Sequence, residues 1–324
     1  MGRLVLRLDD TNYASSLDEL LDSRLIAQIE RLDLTSKKIF AGKLKGERRS
    51  KKRGESVEFA DHRPYAVGDD PRFIDWNLFG RLDRLFLKLF LEEEDLSLHV
   101  VVDVSASSDC GKPSKFEYAQ RFAMAMGYIG LVNLNRVTCT AIGGRMETGR
   151  DDERPLQESG AVLHSVRDLR GKRRTSDLAR FVTALRPDGG SSFTEAAKRI
   201  ALGRRGKGVM IVVSDFLMKE GYEDGLRLLV GRGYDVFAVQ ILSPQEVEPD
   251  IAGDLRLMDT EDGDRAEVTI SAPLLRRYKA TLAAYCQGLR DFCARREITA
   301  LTVQTDTPIE TLILDYLRKR GLLR

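Results

Sequence analysis

The sequence has few of the residues from which zinc, disulfide or catalytic sites are built. Its 324 residues include four cysteines, three histidines and one tryptophan. The cysteines lack the close paired spacing of a zinc site and are too few for a disulfide framework: they are Cys110, Cys139, Cys286 and Cys293. Cys286 and Cys293 fall near one face of a predicted helix, which favours packing in a core over ligation.

Long apolar runs and a large net charge are also missing. No stretch approaches the roughly 18 apolar residues that a transmembrane helix requires, and the first residues lack the hydrophobic segment of a signal peptide. Lys and Arg number 52 against 50 Asp and Glu, so the net charge of +2 gives no global attraction to nucleic acid or membranes. We therefore expect a cytoplasmic globular protein whose 42% hydrophobic content can bury a large core.

Common catalytic motifs are absent as well. There is no phosphate-binding Gly-x-x-x-x-Gly-Lys-Ser/Thr loop, and the strand-to-helix turns offer no Gly-x-Ser-x-Gly nucleophile elbow. A phosphatase of the haloacid dehalogenase type would need a second aspartate where Ser105 stands. His99 lies in an apolar strand pattern and is predicted to be a core residue. The sequence therefore favours a non-enzymatic function, with a metal-dependent hydrolase as one alternative.

One apolar strand ends in oxygen-bearing side chains, within the sequence Val-Val-Val-Asp-Val-Ser-Ala-Ser at positions 100–107. The valine run is typical of a strand buried on both faces of a parallel sheet. If the chain stays extended, Asp103, Ser105 and Ser107 point to one side. Three converging oxygens suit a hard cation, first of all Mg²⁺, with Mn²⁺ and Ca²⁺ as alternatives. A second interpretation is that Asp103 caps the following segment and the serines belong to a turn.

Two later segments favour the metal site. Residues 188–194 form a glycine-rich loop with several hydroxyls, before a predicted helix over 194–202 that Ser192 or Thr194 would cap. Residues 209–215 are a second buried-strand pattern that ends at Asp215. Because the carboxyl ends of parallel strands share one sheet edge, we expect Ser192 or Thr194 and Asp215 to complete the shell, directly or through water.

The predicted shell would leave much of the cation's charge uncompensated. The strand-end trio contributes one carboxylate, from Asp103, and two neutral hydroxyls. An outside carboxylate would therefore be attracted to the open coordination position. This charge balance predicts a binding site rather than a catalytic one.

The spacing of these residues resembles a known family. Asp103-x-Ser105-x-Ser107, a hydroxyl after Gly189-Gly190, and then Asp215 resemble the metal-ion-dependent adhesion site (MIDAS) of von Willebrand factor type A (vWA) domains. The resemblance implies a divalent cation at these positions, with Ser192 in place of the family's threonine or Thr194 as the alternative ligand. It also implies that an acidic side chain of a protein partner occupies the cation's free position.

A second resemblance involves a motif that precedes this region. Its residues resemble the hallmark of domain of unknown function 58 (DUF 58), and they are Gly54-x-Ser56-x-Glu58-Phe59, Arg63-x-Tyr65, Gly68-Asp69-Asp70-x-Arg72-x-Ile74-Asp75-Trp76 and Arg81. Members of that family place the motif just before a vWA domain and are often associated with MoxR-type AAA+ ATPases. The resemblance therefore implies an adaptor for such an ATPase in protein maturation or complex assembly.

The hallmark's own chemistry predicts a structural role. Its carboxylates and guanidinium groups are expected to form ion pairs around a turn, with Asp69, Asp70 and Asp75 paired to Arg63, Arg72 and Arg81. Trp76 is expected to pack rather than to bind a base, and His62 stands beside the cluster. We interpret the motif as an ion-paired turn that clamps a small β-subdomain against the main domain, with a direct docking surface as the alternative.

The order of patterns predicts three regions and an α/β fold. They are an N-terminal helical and basic segment (1–53), a hallmark β-subdomain (54–94) and a vWA-like domain (95–324) with a β-hairpin inserted at about 254–271. Alternating strands and helices in the third region predict a doubly wound, mostly parallel, Rossmann-like sheet. We also expect a strand over 4–8, one helix over 17–32, a helix over 161–169, and pairing of the hairpin with the hallmark strands to form a lateral β-subdomain.

A basic run lies between the N-terminal helix and the hallmark, over residues 37–53. Glu47 is its only acidic residue and Phe40 its only aromatic one. A solvated surface is the favoured interpretation, because base stacking would need more aromatic side chains. Nucleic-acid binding through this run is the second alternative function.

Overall fold

The computed structural model describes residues 13–36, 58–67, 69–91, 96–147, 161–190, 192–203, 208–261 and 263–324. The predicted strand over 4–8, the basic run, and Gly54, Ser56 and Gly68 of the hallmark lie outside these residues. The chain divides into two compact units. Gly46–Asp95 is the smaller unit, and Met1–Lys45 together with Leu96–Arg324 is the larger unit.

Strands and helices alternate through most of the described chain. The strands are β1 (Glu58–Pro64), β2 (Phe86–Leu91), β3 (Ser97–Asp103), β4 (Arg136–Ile142), β5 (Arg145–Met146), β6 (Leu163–Leu169), β7 (Leu185–Arg186), β8 (Gly208–Ser214), β9 (Tyr234–Leu242), β10 (Gly253–Met258), β11 (Arg265–Ile270) and β12 (Thr299–Gln304). The helices are α1 (Leu17–Leu20), α2 (Ser23–Ile29), α3 (Trp76–Leu82), α4 (Lys115–Val132), α5 (Thr175–Ala184), α6 (Phe193–Gly203), α7 (Glu223–Val230), α8 (Pro244–Val247) and α9 (Ala272–Ala294). A π-helical segment, Thr311–Leu317, lies near the end of the chain.

A six-stranded sheet organises the larger unit, in the order β12-β9-β8-β3-β4-β6. Its neighbouring strands pair in parallel except β6, which is antiparallel to β4. This confirms the predicted mixed α/β fold with a mostly parallel sheet. The predicted helix over 161–169 is wrong, because residues 163–169 form β6 at the sheet edge. The apolar pattern of so short a segment is compatible with either a helix or a strand. Pairing with the open edge of β4 therefore decides its conformation.

Apolar cores cover both faces of this sheet. Val100 and Val102 of β3 pack in the core that also contains residues of α1, α2, α4 and α5. Val101 points to the opposite core, which contains residues of α6, α7 and α9. This placement explains the uninterrupted valine run, since a strand covered on both faces needs apolar side chains at every position.

The N-terminal helical region consists of two helices rather than the one predicted over 17–32. The break falls at Asp22, whose carboxylate accepts a hydrogen bond from Leu25 N at 2.7 Å and so caps α2. Leu20 and Leu25 are fully buried in the same core as α4. The apolar face of this region is therefore covered within the larger unit.

The hairpin predicted near residues 254–271 is present as the antiparallel pair β10–β11. The prediction that it pairs with the hallmark strands is wrong. Among the described residues β1 pairs with β2, and β10 pairs with β11, in separate two-stranded sheets. The short connection between Met258 and Arg265 favours pairing of β10 with β11, whereas the sequence pattern does not specify which sheet edges meet.

The smaller unit carries two of the ion pairs predicted for the hallmark. Arg63 Nη2 lies 2.6 Å from Asp69 Oδ1, and Arg72 Nη2 lies 2.6 Å from Asp70 Oδ2. These hydrogen bonds from the arginines lower the pKa of both carboxyl groups. Asp69 also accepts a hydrogen bond from Ala66 N at 2.9 Å, which closes the turn.

The third hallmark aspartate has a different role. Asp75 caps α3 by accepting from the backbone of Asn77 and Leu78, and its Oδ2 lies 2.9 Å from His62 Nε2. The expected packing of Trp76 is wrong, because this residue is 63% exposed. It begins a seven-residue helix that has no buried residue, and its ring makes an edge contact with the ring of Phe79.

Candidate functional site

The carboxyl ends of three neighbouring strands form the candidate site. Asp103 is the last residue of β3, Asp215 follows the end of β8, and Ser243 follows the end of β9. These strands are adjacent and parallel, in the order β9-β8-β3. Their ends therefore bring polar groups from distant parts of the sequence to one sheet edge.

The structure brings the strand-end trio together. Ser105 Oγ lies 2.8 Å from Asp103 Oδ1 and 3.0 Å from Ser107 Oγ. The backbone reaches this arrangement by a different path from the expected one, because residues 106–108 form a 3₁₀ turn. Extended alternation therefore does not extend to Ser107, and a tight turn places its hydroxyl beside that of Ser105.

Hydrogen bonds also fix the orientation of the Asp103 carboxylate. Its Oδ1 accepts from Ser105 N at 3.0 Å, and its Oδ2 accepts from Ser214 Oγ at 2.7 Å. Ser214 Oγ in turn accepts from Phe216 N at 2.9 Å, which ties the carboxylate to the chain after β8. Both carboxylate oxygens are thus held before any ligand binds.

The spacing of the trio fits a small hard cation. Neighbouring ligands of an octahedral ion with bonds of about 2.1 Å are separated by about 3 Å. The separations of 2.8 and 3.0 Å within the trio match that value. Within the described part of the chain, no group of three or more His, Cys, Asp or Glu side chains is arranged to hold a metal ion. Serine hydroxyls would therefore have to supply part of any shell here.

The glycine-rich loop lies against the trio through its backbone. Gly189 O accepts from Ala106 N at 2.8 Å, and Asp188 N donates to Val104 O at 3.3 Å. Beyond the loop, Ser192 caps α6 by accepting from Glu195 N at 3.2 Å. Of the two caps that the sequence left open, the structure uses Ser192.

Ser192 and Thr194 both contact Glu220, which sequence analysis missed. Ser192 Oγ lies 2.9 Å from Glu220 Oε2, and Thr194 N donates to Glu220 Oε1 at 3.0 Å. The assignment of either residue to a metal shell stays a prediction. A signal for Glu220 was its place as an acidic residue in the connection between β8 and α7, shortly after Asp215.

Asp215 is paired with a buried lysine that the sequence analysis also missed. Lys115 Nζ lies 2.7 Å from Asp215 Oδ2 and 2.6 Å from Glu246 Oε1. The lysine and aspartate side chains are only 4% and 3% exposed. Asp215 Oδ1 accepts from Leu217 N at 2.9 Å, so both of its oxygens are engaged.

The position of Lys115 in the sequence carried a usable signal. It is the first residue of α4, where the helix dipole disfavours a positive charge. A buried lysine there requires carboxylates, and strand ends are where the fold can provide them. Glu246 is held by a capping box in which Ser243 N donates to Glu246 Oε2 at 2.8 Å.

A small cavity joins the two halves of the site. It measures about 10 Å³ and is lined by Asp103, Ser108, Lys115, Ala119, Val213, Ser214, Asp215 and Ile241. This volume is close to the minimum for a single water-sized occupant. Asp103 of the trio and the Lys115–Asp215 pair therefore border the same small cavity.

The predicted interior positions of Cys286, Cys293 and His99 are confirmed, and Cys110 and Cys139 are buried as well. All four cysteines are free and buried, and burial raises the pKa of Cys139 and Cys293 to about 12. His99 is buried, with Nε2 2.8 Å from Thr140 Oγ1. Such thiols stay protonated at neutral pH and are poor nucleophiles or metal ligands.

Sequence comparison relates the chain to one family. The pattern of DUF58, described as a protein of unknown function, matches residues 61–287. An uncharacterized protein of Mycobacterium bovis is 28% identical over 313 residues, which is 93% of this chain and 92% of that protein. An uncharacterized protein of Mycobacterium avium is 30% identical over 180 residues, or 54% of this chain and 94% of that protein.

Solved structures give weaker similarity. The conserved hypothetical protein BatB from Bacteroides thetaiotaomicron has a TM-score of 0.39 and 12% identity, over 69% of this chain and 98% of that chain. An aerotolerance-related membrane protein from Bacteroides fragilis has a TM-score of 0.42 and 13% identity, over 69% and 99% of the two chains. Among the residues that the structure describes, none of the helices has the length and apolar character needed to cross a bilayer.

Proposed function

The chain belongs to the DUF58 family, and we propose that it is a non-enzymatic, cytoplasmic adaptor with a vWA-like domain. This domain would bind a divalent cation and, through the cation, an acidic side chain of a protein partner. The observation that carries this proposal is the oxygen trio at the end of β3. Its hydrogen-bonded separations of 2.8 and 3.0 Å are compatible with those between neighbouring ligands of Mg²⁺. Mn²⁺ and Ca²⁺ are the alternative ions.

Three side chains of this chain would hold the ion. Asp103 supplies the anionic ligand, and Ser105 and Ser107 supply neutral hydroxyls that are 5% and 1% exposed. The hydrogen bond from Ser214 keeps the Asp103 carboxylate in one orientation. A bound cation would supply a coordination position for an outside carboxylate, because one carboxylate in the trio leaves part of its charge uncompensated.

The nature of the partner is the second part of the proposal. The hallmark before the larger α/β region favours a MoxR-type AAA+ ATPase, through the family association described above. The sequence has no phosphate-binding loop of its own, so nucleotide hydrolysis would belong to the partner. The chain would then link that ATPase to proteins undergoing maturation or assembly.

Affinity capture under three conditions tests this function. The tagged full chain is incubated with native lysate in Mg²⁺, in chelator, and as the Asp103→Ala variant in Mg²⁺. We expect partners, a MoxR-type ATPase among them, that are present in the first condition and lost in the other two. The matched control is Asp224→Ala, an exposed aspartate paired with Arg227 at the surface, which should retain the partners. Identical partner lists in all conditions would contradict the proposal.

A further inference from the structure

The lysine beside the candidate cation site is costly for the fold. Lys115 is buried, and removing an ammonium group from water carries a large desolvation penalty. It also begins α4, where the helix dipole is unfavourable to a positive charge. Two carboxylates at 2.6 and 2.7 Å offset these costs. A methionine alone would leave the buried Asp215 and Glu246 carboxylates without this counter-charge, so the ammonium balances the charge of the group.

The ammonium competes with a cation for one specific oxygen. Asp215 Oδ2 accepts from Lys115 Nζ at 2.7 Å, and Asp215 Oδ1 is engaged by Leu217 N. The small cavity bordered by Asp103 is also bordered by Lys115 and Asp215. A cation held by the trio would therefore face a lysine that already neutralises the second strand-end carboxylate.

We propose that Lys115 is a built-in counter-cation that keeps Asp215 out of the metal shell and so makes the cation bound at Asp103 weakly held and exchangeable. This inference rests on the proposed cation site. It follows that the chain's affinity for the ion is set by how the Lys115 charge is divided between Asp215 and Glu246. Affinity for hard cations rises with the number of carboxylate ligands, so release of Asp215 should strengthen binding.

Three variants test the two directions of this effect. Lys115→Met removes the ammonium group from both carboxylates. Lys115→Met with Glu246→Gln removes it from Asp215 and leaves the net charge of residues 115, 215 and 246 unchanged. Glu246→Gln alone leaves the ammonium to Asp215. Each chain is titrated with Mn²⁺, and free Mn²⁺ is measured by electron paramagnetic resonance. Circular dichroism checks folding, and thermal unfolding with and without Mn²⁺ gives a second measure of binding.

We expect the first two variants to bind Mn²⁺ about tenfold more tightly than the wild type or more, and Glu246→Gln to bind it several-fold more weakly. Lys172→Met, at an exposed lysine paired with Glu30, is the control and should match the wild type. The double variant, Lys115→Met with Glu246→Gln, distinguishes the release of Asp215 from a general change in electrostatic potential at the cation site, because its net charge equals that of the wild type. Its tighter binding should disappear when Asp103→Ala is added.

The outcomes distinguish this inference from the proposed function. If the wild type binds Mn²⁺ in a manner that depends on Asp103, but folded Lys115 variants bind no more tightly, Lys115 is not the counter-cation. If Glu246→Gln binds as tightly as the wild type or more so, the inference is also overturned, even where Lys115 variants fail to fold. If no chain shows Asp103-dependent binding, the cation site itself is absent and the proposed function fails with it.

Discussion

Asp103 owes its orientation to donors on two different segments. Ser105 donates to Oδ1 from both its backbone and its hydroxyl, and Ser214 donates to Oδ2 from the end of β8. Because these bonds engage both oxygens, the carboxylate faces its neighbours in a fixed geometry. Asp103 is therefore positioned in part by Ser214, the residue that precedes Asp215 in the sequence.

Replacement of Ser214 by alanine should weaken this arrangement. Ser214→Ala removes a hydrogen bond to a carboxylate and one from Phe216 N, so we expect a loss of about 1 to 3 kcal/mol in the free energy of unfolding. Loss of an orienting partner should also weaken Mn²⁺ binding about tenfold or more. Denaturant unfolding and Mn²⁺ titration measure the two effects. Unchanged values for both would show that Ser214 does not orient Asp103.

Single residues also show where sequence reasoning stops. Asp103, Ser105 and Ser107 could be found because they are close in sequence and follow a valine run. Lys115 and Glu246 could not be paired in advance, because their contact depends on the order in which β8 and β9 lie in the sheet. Glu220 was missed for the same reason, since only the folded loops bring it to Ser192.

At the level of elements, helix packing supports the loop that carries Ser192. Phe193 begins α6 and packs against α7, where Gly225 gives it room. A Cβ at Gly225 would lie 2.4 Å from Phe193 Cε1, far inside contact distance. Because Phe193 is also packed edge-on against Phe216, it has little freedom to move away.

Gly225→Ala should therefore destabilise the larger unit. We expect a loss of about 1 to 3 kcal/mol in the free energy of unfolding, which is the usual cost of forcing extra volume into a packed core. The matched control is Gly203→Ala at the end of α6, where a Cβ would meet nothing within 4 Å. Denaturant unfolding of both variants measures the difference. Equal stability of the two would contradict the tight packing between α6 and α7.

The elements that sequence predicted well are those with strong patterns. β3 and β8 contain uninterrupted apolar runs, and each was placed within a few residues. The wrong prediction over 161–169 concerns an edge strand whose residues are mostly half-buried or exposed. The apolar pattern that identifies a central strand is missing there, so only pairing with β4 reveals its conformation.

At the level of the whole molecule, every residue of the candidate site belongs to the larger unit. The site lies at the edge of the six-stranded sheet, where three parallel strands end. The hallmark motif lies in the smaller unit, whose ion pairs at Asp69 and Asp70 stabilise a turn. The chain thus places a candidate cation site and a family-specific turn in separate compact units.

The fold class could be predicted from the alternation of strands and helices, and the family from the hallmark. Many details of the site could not, because several of its contacts join residues a hundred or more positions apart. Lys115 and Glu246 are the clearest case, with their side chains in contact across 131 positions. Such contacts follow from strand order, which the sequence of a single chain constrains only loosely.

Direct titration of the purified chain with Mg²⁺ by isothermal calorimetry tests the central claim most simply. After chelator treatment and dialysis, the wild type is predicted to bind one equivalent of Mg²⁺, and Asp103→Ala is predicted to bind none with the fold preserved by circular dichroism. Asp224→Ala should bind as the wild type does. Equal binding by the wild type and Asp103→Ala, or no binding by either up to millimolar Mg²⁺, would contradict a cation site at the end of β3.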